Sequence, residues 1–232
     1  MYNANVTECI VSYFKNSSTG GRKMNIESKT RNLVLAAVFV AIIIIMAFTP
    51  LGFIPLGFMN ATIIHIPVII GAIVLGPKYG GFLGMVFGLT SLWKNTNMPN
   101  ATSFVFSPFI KVGEYGGNFG SLIICMVPRI LIGIVAYYVF RAVLKAFNGK
   151  SGRRTIALAA AGVAGSLTNT LLVMNLIYLL FGKEYGAAAK GLTDGIYAVI
   201  LGIICINGIP EAVLSGILTA AVTKALFKAM RE

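Results

Sequence analysis

Between Asn32 and Phe48 the chain reads NLVLAAVFVAIIIIMAF, with no charged residue. Comparable apolar runs follow at Ala61–Leu75, Gly80–Trp93, Gly120–Phe140 and Thr155–Phe181, and a last one covers about Asn207–Phe227. These runs constrain the fold more than any other feature. About 20 apolar residues carry a helix across the hydrocarbon core of a bilayer. In lipid the backbone must satisfy its own N–H and C=O groups, so only helices and closed barrels span it. Barrel strands are short and alternate in polarity, whereas these runs are long and unbroken. Composition agrees: 57% of the 232 residues are hydrophobic and 11% are charged, against about a quarter charged in a soluble domain. The expected fold class is all-α and integral to the membrane, a six-transmembrane-helix bundle.

The net charge of +12 reflects topology. With both termini cytoplasmic, Arg22, Lys23, Lys29, Arg31, Lys78, Arg141, Lys145, Lys150, Arg153, Arg154, Lys224, Lys228 and Arg231 all face inward. Only Lys94, Lys111, Lys183 and Lys190 then face outward, and loop Lys and Arg favour the cytoplasmic side. Nucleic acid is not implied as a partner; the lipid bilayer is. The outer connections, Phe53–Asn60, Lys94–Phe119 and Gly182–Ile206, are longer than the basic inner turns, which suggests a site opening outward.

Residues 1–23 look foreign to the rest. They lack the apolar core of a secretory signal, and GGRKM resembles translation through a purine-rich ribosome-binding site ahead of a true start at Met24. They are read as a disordered extension or as untranslated sequence, and residues 24–232 as the membrane domain.

Arg129 is the sharpest signal, set in SLIICMVPRILIGIV directly after Pro128. A charge at bilayer depth costs about 2.5–3.5 kcal/mol on insertion scales, so such residues face the bundle interior and meet a partner. That partner is Glu211, an anionic ligand gripped by the planar guanidinium fork, or a backbone carbonyl in a purely structural clamp. His65 is the only histidine, two residues before Pro67 within an apolar run. It is read either as a packing residue or, with Asn60 and Thr62, as part of a polar face presented by a helix that breaks at Pro67. Asn169 and Asn175 are six residues apart, so at most one of them faces a common ligand. Trp93, Asn95 and Ser107 are placed at or in the long outer loop. Asn207 reads as the cap of the last helix, with Pro210 and Glu211 in its first turn. Ala37 and Ala41 form an A-x-x-x-A pair, and small residues four apart let another helix approach closely. Cys9, Cys125 and Cys205 have neither CxxC nor metal-ligand spacing, and no metal or cofactor is expected. Walker A, HExxH and GxSxG motifs are absent. A small uptake protein of this kind would draw its energy from elsewhere.

The Ala37–Ala41 pair, NATIIHIPVIIGAIVLGPKYGGFLGMVFGLTSL, TSFVFSPF, VPRILIG and NGIPEA together resemble the substrate-binding S component of energy-coupling factor (ECF) transporters, the bacterial vitamin importers. The resemblance spans Met24–Glu232 and is greatest to the pantothenate-type branch. It implies a vitamin-binding subunit of the bacterial plasma membrane, without enzymatic activity. Its partners would be a transmembrane coupling subunit, docked through Ala37 and Ala41, and two ATPase subunits. It implies a vitamin site drawn from Arg129, His65, Asn60, Asn95, Asn169 and Asn207. Pantothenate, a carboxylate with hydroxyls and an amide, suits one cation among neutral groups; riboflavin, which would favour aromatic stacking, is the alternative. Two readings from other classes remain: a membrane enzyme on lipid or prenyl substrates, which would need clustered carboxylates or a nucleophile with its base, and a stand-alone secondary transporter, which often shows internal repeats. The chain shows neither feature.

Overall fold

The computed structural model describes residues 26–49, 52–55, 60–147, 153–188 and 196–229. The expectations for residues 1–23 fall outside them. Helix α1 spans Ile26–Phe48, α2 His65–Leu75, α3 Pro77–Asn97, α4 Phe119–Ala146, α5 Arg154–Ala188, α6 Ile196–Ile203 and α7 Ile209–Ala229. Among the described residues, Lys29–Phe48, Phe119–Ala146, Arg154–Gly186 and Ile200–Ala229 are long and apolar enough to cross a membrane, and His65–Leu75 is apolar but short.

The helix ends depart from the sequence reading in four places, each for a local reason. The run from Ala61 is not a helix broken at Pro67. Asn60–Thr62 is a strand, β2, paired antiparallel with β1, Phe53–Pro55, and α2 begins only at His65. Pro67 therefore sits in the first turn, where its missing N–H breaks no helical bond. Helix α3 continues to Asn97, so Trp93, Lys94 and Asn95 are helical and not part of the outer loop. Helix α5 runs on past Phe181, where it kinks, and the connection expected over Gly182–Ile206 is largely helical. Asn207 caps nothing: α6 and α7 form one rod joined by a π turn, Ile204–Gly208. Pro210 has no N–H for the Ile206 carbonyl, and its ring would collide with that oxygen in a regular turn. A wider turn just before it relieves both problems.

Helix α2 is the hub. From His65 to Val74 every residue is buried, and its 11 residues rise only about 16 Å, too short to cross a bilayer alone. Gly76, at φ 102°, turns the chain into Pro77 at the start of α3. Helices α3 and α4 then meet backbone to backbone. A Cβ on Gly84 would strike the carbonyl oxygen of Arg129, and one on Gly133 would strike Gly80. In lipid, where apolar surface gains little by leaving its solvent, close contact through small residues supplies the packing energy.

Buried apolar residues form two clusters. One surrounds α2 with Leu83, Phe87, Ile132, Phe140 and Leu158. The other sits beneath the α3–α4 connection, joining Phe104, Val105, Ile124, Ile177, Phe181 and Tyr185. The connection itself holds a 3₁₀ turn, Ser103–Val105, and a small hairpin, β3 Lys111–Val112 with β4 Tyr115–Gly116.

Gly84→Ala should destabilise the detergent-solubilised protein by about 1–3 kcal/mol, because neither backbone can yield to the added methyl. Gly202→Ala, where nothing lies within 4 Å of the new Cβ, should leave the melting temperature unchanged or slightly raised. Equal melting shifts for the two variants would remove the α3–α4 contact as the cause.

Candidate functional site

Between the two apolar clusters lies a polar layer. On α3 it follows Leu83 and Phe87 as Ser91 and Asn95; on α4 it is Arg129, between Ile124 and Ile132; on α5 it is Asn169 and Thr170, ahead of Val173 and Ile177. These side chains, with Asn207, Glu211, Thr62 and the loop residues Asn100, Thr102 and Phe106, line one cavity with about 670 Å³ of empty space, part of it open to solvent.

Arg129 is 3% exposed. Pro128 lies inside α4 and has no N–H to give the Ile124 carbonyl four residues earlier. Arg129 Nη1 donates to that oxygen at 2.7 Å. The guanidinium also lies over the rings of Phe87, at 5.5 Å, and Phe106, at 5.1 Å. The carbonyl clamp is therefore real, but it uses one nitrogen. Nε is buried without a partner. No carboxylate among the described residues comes within 4 Å of the guanidinium, so of the alternatives the pairing with Glu211 is not made.

The other proposed site residues divide clearly. Asn95 is buried on the cavity wall, with Nδ2 donating to the Ser91 carbonyl at 2.8 Å and Oδ1 accepting from the Ser103 hydroxyl at 2.8 Å. Asn169 lines the cavity with its Oδ1 buried and unpartnered. Asn207 reaches the cavity from the π turn. His65 does not line it: the ring is 1% exposed and sits behind Glu211, with Nδ1 3.5 Å from Oε1 and no hydrogen bond on either nitrogen. Asn60 lies on β2, two residues before Thr62. Asn175 faces outward and turns its amide back onto the Leu171 carbonyl. Ser107 bonds Thr96. Trp93 is 45% exposed and packs edge-on against Phe48. Ala37 and Ala41 are both exposed on α1, on the face opposite buried Ala36, Phe39 and Ile43.

Sequence reasoning missed Ser91, Asn100, Thr102 and Thr170 as lining residues. Asn100 organises the loop over the cavity. Its Oδ1 accepts from the backbone N–H and hydroxyl of Thr102, both at 3.1 Å, and lies 2.8 Å from the Ser103 hydroxyl. Ser103 thus stands between Asn95 on α3 and Asn100 in the loop. The Ser121 hydroxyl, donating to the Phe104 carbonyl at 2.7 Å, ties the same loop to α4. The signal that pointed here was the asparagine itself, two residues before Thr102, in the spacing of an Asx turn.

The family model described as the substrate-specific component of ECF transporters matches residues 31–223. The pantothenic acid transporter PanT of Lactococcus lactis subsp. cremoris (strain MG1363) is 35% identical over 206 residues, covering 88% of this chain and 97% of the relative. The pantothenate transporter PanT of Leuconostoc mesenteroides subsp. mesenteroides is 31% identical over 209 residues, covering 86% and 93%.

Asn100→Ala should speed backbone hydrogen exchange over residues 100–107 while exchange in α3 and α4 stays as in the parent protein. Unchanged exchange in the loop would show that the Asn100 carbonyl does not hold it.

Proposed function

We propose a function from one premise: the chain belongs to the family of ECF transporter substrate-specific components. It is a multi-pass membrane protein and a transport subunit, not an enzyme. Its ligand, on our reading, is pantothenate, the molecule in the names of both relatives. The observation that carries this reading is Arg129, a buried guanidinium with Nε unpartnered and no carboxylate within 4 Å among the described residues, at a cavity rich in amides and hydroxyls. A carboxylate ligand completes it with charge-assisted hydrogen bonds. The amides of Asn95, Asn169 and Asn207 then meet the ligand's amide and hydroxyls. His65 supports Glu211 from behind without touching ligand. Riboflavin, the alternative ligand, would want rings to stack on, and Phe106 is the only aromatic among the described lining residues.

The remaining features follow the same reading. Six spans place both termini in the cytoplasm, with α2 and its hairpin as the second and the α6–α7 rod as the last. The cavity opens outward from a bacterial plasma membrane. A transmembrane coupling subunit docks on the exposed Ala37–Ala41 face of α1, and two ATPase subunits supply the energy. Helix α1 suits docking because its apolar face, including Leu33, Val34 and Ile45, is more than half exposed at these positions, and because two alanines let a partner helix approach closely.

Calorimetric titration of the purified chain with a vitamin panel tests the ligand. Pantothenate should bind and riboflavin should not. Arg129→Ala should weaken pantothenate by roughly 100-fold or more, since a buried charge pair is lost, with the protein still monodisperse. Unaltered affinity in that variant removes Arg129 from the site. A second test separates docking from binding: Ala37→Trp combined with Ala41→Trp should abolish cellular pantothenate uptake and leave calorimetric binding intact. Normal uptake would falsify the docking assignment.

A further inference from the structure

The cavity holds a second charged group that the pairing of Arg129 with a carboxylate leaves unused. Glu211 lines the cavity from the first turn of α7, just past the π turn. Its two oxygens differ. Oε1 accepts the Thr62 backbone N–H at 3.3 Å and the Thr62 hydroxyl at 3.1 Å, and His65 Nδ1 lies 3.5 Å from the same atom. Oε2 accepts nothing from the described residues. The simplest use of a free carboxylate oxygen beside a guanidinium is an ion pair, and that pair is not formed. Thr62, at the end of β2, holds the carboxylate by one oxygen and so fixes where the other stands.

An ionised carboxylate only accepts hydrogen bonds. Held in a partly dehydrated site it welcomes a donor and repels an anion more strongly than it would in water. We propose that Glu211 is a specificity-determining residue of the binding site: its free Oε2 accepts a hydrogen bond from a ligand hydroxyl, and its charge excludes ligands that carry an anion at that end. The inference rests on pantothenate being the ligand, with the carboxylate at Arg129 and the hydroxyls at Glu211. The cavity is then two-ended, with one fixed cation and one fixed acceptor. It takes hydroxyl-bearing monocarboxylates and refuses the same molecules once the terminal hydroxyl is esterified with phosphate, although Arg129 alone would attract the added charge. Thr62 is the positioning residue for this discrimination.

The test is calorimetric titration of the purified full chain with pantothenate and with its terminal phosphate ester, in the parent protein, Glu211→Gln and Thr62→Val. The parent should prefer pantothenate by at least ~100-fold, as expected for like charges brought together in an interface. Glu211→Gln should bind pantothenate roughly 10- to 100-fold more weakly, the loss of a charged hydrogen bond. The same variant should narrow the preference over the ester at least ~10-fold, because the repulsion is gone. Thr62→Val should move the ratio in the same direction by less, and it covers the case in which Glu211→Gln does not fold. A glutamate with only a structural role would weaken both ligands alike. A preference ratio that stays put in the variants, with pantothenate binding intact in the parent, overturns this inference alone. A folded parent protein that does not bind pantothenate overturns the ligand assignment, and this inference with it.

Discussion

Arg129 donates to the Ile124 carbonyl, and that carbonyl is available only because Pro128 has no N–H to offer it. Two unfavourable events thus cancel. A proline inside a membrane helix strands a carbonyl, at a cost of several kcal/mol when nothing replaces the bond. An arginine at the same depth costs about 2.5–3.5 kcal/mol on insertion scales. One short hydrogen bond within a single turn of α4 serves both. The rings of Phe87 and Phe106 hold the guanidinium plane from α3 and from the loop, each contact being worth about 0.5–2 kcal/mol. A lysine would not do the same, because a point ammonium lacks the flat face and the spare forked donors. The geometry of the cavity follows from this arrangement, since it fixes the depth of the only cation on its wall among the described residues.

That depth is passed to the other helices by backbone contact. Gly84 on α3 abuts the carbonyl of Arg129 itself, and Gly80 abuts Gly133 one turn further on. Ser91 and Asn95 therefore come to stand level with the guanidinium. On the far side, Ser215 of α7 donates to the Gly162 carbonyl of α5 at 3.0 Å, and Gly162 meets Gly216 at the same crossing. Asn169 on α5 and Glu211 on α7 are each one to two turns from that contact. Close crossings thus flank the polar layer, which lies between the two apolar clusters and keeps its cavity partly open to solvent. A water-filled channel would need the upper cluster to part; here Phe104, Phe181 and Tyr185 are all buried.

The sequence made the apolar spans, the Gly76–Pro77 turn and the isolated charge legible, because each of those signals is local. A charge among aliphatic residues costs energy wherever the helix ends up, so Arg129 could be read without knowing its neighbours. The misreadings share another cause: they concern residues whose role depends on a distant partner. Pro67 looks like a breaker in an apolar run. Only the pairing of β2 with β1 shows that the run starts as a strand and that the proline falls in a first turn. Asn207, Pro210 and Glu211 spell a helix start by composition. The same proline instead produces a π turn, because residues 196–203 already form a helix leading into it. Thr62 was placed beside His65 correctly, yet its bond to Glu211 joins residues 149 apart in sequence, and no local pattern encodes that.

Among the described residues the site has few uncommitted polar atoms. Arg129 Nε can only donate. Asn169 Oδ1 can only accept, and so can Glu211 Oε2 in its ionised form. A buried polar atom left without a partner costs about 1–3 kcal/mol, so a ligand that pairs Arg129 Nε and Asn169 Oδ1 gains by it. Several other polar groups in the layer are already engaged: Asn95 with Ser91 and Ser103, Asn100 with Thr102, Thr62 with Glu211. These bonds hold the wall in shape before a ligand arrives, which lowers the ordering cost of binding. They also restrict what can bind, because a ligand with donors and acceptors in the reverse order would leave both sets unpaired. The exposed face of α1 that we propose for docking shares none of those atoms.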